Sequence, residues 1–173
     1  MNSKERREAI LLKLTEENKS LKGTDLAKIF NVSRQVIVQD IALLRAEGRD
    51  IIATPQGYVI IKNDKTKKLK TIVSKHTSYE EMKEELEIMI DHGVRVVDVI
   101  VEHPIYGEIK GILDIGYKKE LEEFLKKIRE EQAEPLSTLT DGIHIHTIEV
   151  TDEKNYEIMK ETLTEKGYLI NEE

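Results

Sequence analysis

Histidines and carboxylates are the residues in this chain best equipped for chemistry, and all five histidines lie after residue 75. His144 and His146 alternate with Ile143 and Ile145. On a strand that alternation sends both imidazoles to one face, with Cα atoms roughly 6.5–7 Å apart, a span that one metal ion can bridge. Upstream, the segment from Thr71 to Leu86 sets His76 where a strand gives way to a loop, and Glu84 eight residues on in a helix. Brought beside His144 and His146, they make a shell of three nitrogens and one oxygen, suited to zinc, nickel or another divalent transition metal. Glu80, Glu81 and Glu85 lie close enough in sequence to compete with Glu84 for the carboxylate position. The chain has no cysteine, so no thiolate biases the choice of ion and no disulfide can form.

A second concentration is Glu102-His103-Pro104-Ile105-Tyr106-Gly107, a shaped turn bearing hydrogen-bonding groups. By itself it reads rather as a structural turn with a satisfied histidine than as a binding site.

The elements that must carry these residues follow from periodicity. Three helical segments open the chain: Ser3 to about Glu17, capped by Ser3; a short one from Gly23-Thr24; and a third from Ser33 to about Glu47, stopped by Gly48. In the third, Ile37, Ile41 and Leu44 face inward. Arg34, Gln35 and Gln39 are left outward, side chains of the kind that read base edges, and Ser33 starts a helix N-terminus suited to a phosphate. Two β-rich runs around Pro55-Gln56-Gly57 follow as a wing, with Gln56 at its tip as a further DNA contact. Helix, helix, turn, helix, hairpin is a winged helix-turn-helix. The pattern from Leu26-Ala27 through Val32-Ser33-Arg34 and Asp40-Ile41 to Leu44-Arg45 resembles the winged domain of bacterial regulators and of bifunctional biotin ligases.

Residues 63–70, NDKTKKLK, read as a linker. Beyond it, strand, helix, strand, strand, helix, strand, helix and a last short strand predict a small α/β sandwich with a mostly antiparallel sheet over 71–173. The fold class is therefore α+β, with the winged domain over 1–62 in front.

With the helix-turn-helix in place, the motifs around His76, "VEHPIYGE" and "DGIHIHTI" resemble the three-histidine (3H) domain family, which includes nicotinate-responsive repressors of NAD biosynthesis and niacin salvage. The resemblance implies a homodimeric repressor that binds operator DNA when nicotinic acid occupies the 3H domain. It implies a metal site of His76, Glu84, His144 and His146, and it places His103 and Tyr106 in or beside the effector pocket. The alternative is a metal-responsive repressor in which the ion itself is the effector.

Composition fits this reading. The net charge of −7 hides a split: residues 1–62 hold 11 Lys/Arg against 8 Asp/Glu, and the remainder 16 against 26. A basic head on an acidic body suits a chain of which one end meets phosphate. Neither a signal peptide nor a membrane-spanning run is evident, so the expected location is cytoplasmic. An enzyme is not expected: no phosphate-cradling glycine loop appears, nor a nucleophile beside a base.

Overall fold

The computed structural model describes residues 1–60 and 68–170. The chain divides into two compact units, Met1–Asp64 and Lys65–Glu173.

The first unit is three helices and a hairpin: α1 (Ser3–Glu16), α2 (Gly23–Phe30), α3 (Arg34–Ala46), β1 (Ile51–Thr54) and β2 (Gly57–Ile60). The cap of α1 is Asn2 rather than the expected Ser3. Asn2 accepts from the Glu5 N–H at 2.9 Å while Glu5 accepts from the Asn2 N–H at 2.8 Å, a reciprocal capping box. The core is Ile10 and Leu14 of α1, Leu26 and Ala27 of α2, and Ile37, Ile41 and Leu44 of α3, as the helical spacing predicts. One polar residue sits inside it. Asp40 is buried and receives two hydrogen bonds from Arg6, at 2.6 and 3.2 Å, which fix α1 against α3. The hairpin pairs Thr54 with Gly57 and is pinned to the helices by reciprocal backbone bonds between Leu21 and Tyr58, at 2.8 and 2.9 Å. Gly57 is required there: φ is +131° and a Cβ would lie 2.4 Å from the Leu21 carbonyl oxygen.

The second unit contains β3 (Lys68–Lys75), α4 (Tyr79–Asp91), β4 (Arg95–His103), β5 (Gly107–Ile115), α5 (Lys118–Glu130), a 3₁₀ turn (Leu136–Thr140), β6 (Ile143–Val150) and α6 (Glu153–Glu165). The sheet is antiparallel with order β3-β6-β4-β5. Its buried residues, among them Ile72, Val96, Leu113, Ile115 and Ile148, pack with Leu86 and Met89 of α4, Leu121 and Leu125 of α5, and Met159 and Leu163 of α6. The architecture is α+β, as expected. The terminal strand shrinks to a single bridge, Leu169 with Ser74.

The linker needs correction at one end. Residues 63–67 lie outside the described residues, but Lys68–Lys70 belong to β3, paired in register with Val150, Glu149 and Ile148. Sequence composition hides this because the lysines are not loop solvent-seekers. Lys68 and Lys70 reach Glu153 on α6 at 3.7 and 3.2 Å, and the Lys70 ammonium lies over the Tyr156 ring.

Candidate functional site

Three elements converge on one buried point. His76 follows the end of β3, His144 and His146 project from the helix-covered face of β6, and Glu85 comes from the second turn of α4; all four are buried. Gly142 lets the β3 end and the β6 start approach, since a Cβ there would lie 2.3 Å from the His76 carbonyl oxygen. The His76 N–H donates to the Gly142 carbonyl across the same gap.

The three Nε2 atoms all face a single carboxylate oxygen, Oε2 of Glu85. His76 is in direct contact, His144 is 3.2 Å away and His146 3.6 Å. In two of the rings the other nitrogen is committed elsewhere. Nδ1 of His144 lies 2.8 Å from the Gly142 carbonyl and Nδ1 of His146 lies 2.7 Å from the Asp98 carbonyl. A carbonyl only accepts, so each Nδ1 carries the proton. In a neutral ring this leaves Nε2 as a lone pair, aimed at an anion. Such a cluster needs positive charge, from protons or from an ion. Burial works against the charged Glu85, yet the charge of His146 and hydrogen bonds from His144, His146 and His76 hold its pKa well below the usual carboxylate range. Burial likewise opposes a proton on His146, and the charge and hydrogen bond of Glu85 overcome it, raising that pKa.

The residues also fit a divalent ion. The ligating atoms of His76, Glu85 and His144 lie within 4.8 Å of one another, and the second carboxylate oxygen of Glu85 is buried without a hydrogen-bond partner. Nδ1–H bonds to carbonyls are the usual outer-shell support of a histidine ligand.

The carboxylate at the cluster is Glu85, not the expected Glu84. One residue along a helix is a turn of 100°, which carries Glu84 to another face. There it meets Lys166 at 2.7 Å and accepts from the Tyr168 hydroxyl at 2.8 Å, and the Lys166 hydrogen bond, followed by that of Tyr168, lowers its pKa.

A cavity of about 250 Å³ opens beside the cluster, and the three histidines form one wall. The rest is mostly apolar: Met82 and Leu86 from α4, Val99 from β4, Gly111 and Leu113 from β5, Phe124 and Ile128 from α5, and Leu136 after Pro135, with Glu134 as the one acidic lining residue. Ser137 adds a hydroxyl-bearing residue. These come from five separate elements, and no local pattern in the chain announces them.

His103 and Tyr106 do not line this cavity. They occupy the turn joining β4 and β5, where Nδ1 of His103 accepts from the N–H groups of Ile105 and Tyr106 at 3.1 and 3.2 Å. The two rings stack loosely, 5.0 Å between centroids, and Ile105 and Tyr106 are about four-fifths exposed.

In the first unit, Ser33, Arg34, Gln35 and Gln39 are exposed together on the first turns of α3, with the Ser33 hydroxyl accepting from the Val36 N–H at 3.3 Å. Gln56 differs from expectation. Its side-chain amide is buried with neither atom hydrogen-bonded, so the turn does not present it outward. The turn is held instead by Thr54, whose hydroxyl donates to the Gly57 carbonyl and accepts from the Gln56 N–H.

Comparison with known proteins supports both units. Residues 6–59 match a helix-turn-helix domain family and residues 69–172 match the 3H domain family. The chain is 45% identical over 168 residues to a protein named "Probable transcription repressor NiaR" of Thermotoga maritima, covering 97% of this chain and 95% of that one. It is 43% identical over 169 residues to the transcription repressor NadR of Bacillus subtilis, covering 96% and 94%. The exposed α3 surface, the winged hairpin and the histidine-walled cavity thus occur in a chain that belongs to the 3H-domain family of helix-turn-helix transcription repressors.

Proposed function

We propose that this repressor responds to nicotinic acid, taken up in the cavity beside the histidine cluster, and that it governs genes of NAD biosynthesis or niacin uptake. The observation that carries the reading is the pairing of an apolar cavity with a wall of imidazole nitrogens. Its volume, about 250 Å³, suits one small ring. For scale, an apolar protein cavity of about 150 Å³ takes benzene. Phe124, Leu113 and Leu136 offer apolar contact to the ring faces, while the carboxylate or the ring nitrogen meets the cationic end.

A zinc or nickel ion held by His76, Glu85, His144 and His146 supplies that positive charge and a coordination position for the ligand. The protein's own part is to fix the imidazoles through the Gly142 and Asp98 carbonyls, and to exclude water with the apolar wall. A sensor of the ion alone has no use for such a cavity, which is why the metal-responsive alternative is not favoured. Operator DNA then meets Ser33, Arg34, Gln35 and Gln39 at the start of α3, in a homodimer reading two half-sites in the cytoplasm. No helix among the described residues is long and apolar enough to cross a membrane.

The test is a calorimetric titration of the zinc-loaded chain with nicotinic acid, beside operator binding measured on duplexes selected from a randomised pool. Nicotinic acid tightens operator binding, and nicotinamide, which lacks the carboxylate, does so far less. Absence of heat at millimolar nicotinic acid sinks the reading.

A further inference from the structure

Helices α4, α5 and α6 all cover one face of the regulatory sheet, because its buried core residues alternate onto that face alone. Among the described residues no helix of this unit covers the other face. Its centre is apolar over three neighbouring strands, Val73 opposite Ile145 and Ile145 opposite Ile100, and the same row ends in β5 at Lys110, which reaches Asp98 at 4.0 Å. Ile143 continues the patch, and Ile143 and Val73 are 44% and 38% exposed. β-Branched side chains in adjacent strands make a flat, stiff surface of the kind that packs against a second sheet.

Charge at one end of this face is unbalanced. Glu102 and Glu108 stand directly opposite each other in β4 and β5, an arrangement that destabilises a sheet unless a cation joins them. Among the described residues neither has one. Lys75 lies at the same end of the sheet, paired in register with Ile143 at the tip of β3. It too has no anionic partner among the described residues. β3 and β5 are opposite edges of the sheet, three strand spacings or roughly 14 Å apart, so the two charges cannot meet within one protomer.

We propose that this open face is the homodimer interface, two copies packing sheet to sheet about a dyad that runs along the strands. The proposal rests on the reading of a dimer made above and adds the surface and its symmetry. A dyad along the strands keeps the ends of the sheet together and exchanges its edges. It therefore lays β3 over the partner's β5, and Lys75 over the partner's Glu108, twice per dimer. The apolar centre then meets itself, with Ile145 against the partner's Ile100. A dyad across the strands instead sends Lys75 to the end of the partner that lacks the glutamate pair. The extent is adequate: four strands of about eight residues present a face of roughly 500 Å² in flat projection, and side-chain relief carries this toward the about 800 Å² per partner of a standard interface.

The experiment is sedimentation equilibrium of the full chain, with Lys75→Glu, Glu108→Lys and the double charge swap. The unaltered chain is dimeric. Each single variant weakens the dimer about tenfold or more, since each places two like-charge contacts in one interface, and the double variant returns to within about threefold of the original. Both positions are exposed, and unchanged far-ultraviolet circular dichroism verifies folding; Ile143→Asp, at another exposed position, provides an independent disruption. A chain that stays monomeric at tens of micromolar overturns the dimer reading itself. A dimer indifferent to these variants, or weakened by the singles and not restored by the swap, overturns this surface and leaves the dimer standing.

Discussion

Oε2 of Glu85 lies 3.2 Å from Nε2 of His144, while Nδ1 of the same ring donates to the Gly142 carbonyl. A neutral imidazole in that tautomer turns a lone pair toward a carboxylate, and the same conflict repeats at His146. A divalent ion resolves both at once. We expect one zinc or nickel ion per chain, with Glu85→Gln lowering affinity by at least about 100-fold. Glu84→Gln, one residue away but facing Lys166, changes it by less than about threefold. Chelator competition followed by metal analysis reads both values.

Gly111 separates ligand binding from folding. A Cβ there would meet only Val99 at 3.5 Å and Leu136 at 4.0 Å, ordinary contacts, and the residue lies in a strand that lines the cavity. Gly111→Val therefore fills part of the cavity without strain and adds a β-favouring residue. Nicotinic acid affinity falls at least about tenfold by calorimetry, zinc affinity holds, and the thermal midpoint does not drop.

At the DNA-binding face, Arg34→Ala and Gln39→Ala each cost about 1–3 kcal/mol of operator binding, read by fluorescence anisotropy at fixed salt. Both residues are exposed, so stability is unchanged. Ser33→Ala acts differently. It removes the cap of α3 and lowers the stability of the winged unit by about 1 kcal/mol, seen as a shifted denaturation midpoint.

Tyr168 reports on the Glu84 side of α4. Its burial, with the hydrogen bond and charge of Glu84, pushes the phenol up to about 12 from an ordinary 10. A folded-state pKa above the unfolded one means this contribution is complete below pH 10 and is lost as pH rises from 10 to 12. The difference in phenolate absorbance between the original chain and Tyr168→Phe shows a step near 12; a step near 10 refutes it.

The helices of the winged unit and the run of strands in the regulatory unit were legible because apolar spacing alone sets them, as Ile37, Ile41 and Leu44 illustrate. The clustering of His144 and His146 was legible for the same reason, since alternation obliges them to share a face. The choice between Glu84 and Glu85 was legible as well, but in the wrong place. Distance from His76 cannot decide it, whereas helix phase can: Glu85 falls three residues after Met82 and four before Met89, inside the buried stripe, and Glu84 lies some 200° from Met82. The cavity was not legible. Phe124, Leu136 and Gly111 are brought to it by three separate elements, and the 3₁₀ turn that carries Leu136 has no periodicity to read. The Lys68–Lys70 strand was hidden because its lysines answer to Glu153 and Tyr156, partners more than eighty residues away.

The histidine cluster has a further meaning for the chain as a polymer. Glu85 and His144 are 59 residues apart in sequence, so an ion gripping both closes a loop of that length and removes the entropy of its open states from the unfolded ensemble. In a chain without cysteine this is the role a disulfide would otherwise play. Such a staple would be set by metal supply and proton concentration rather than by redox poise. Cells that starve of the ion would lose regulatory-unit stability and effector response together, through one bond set.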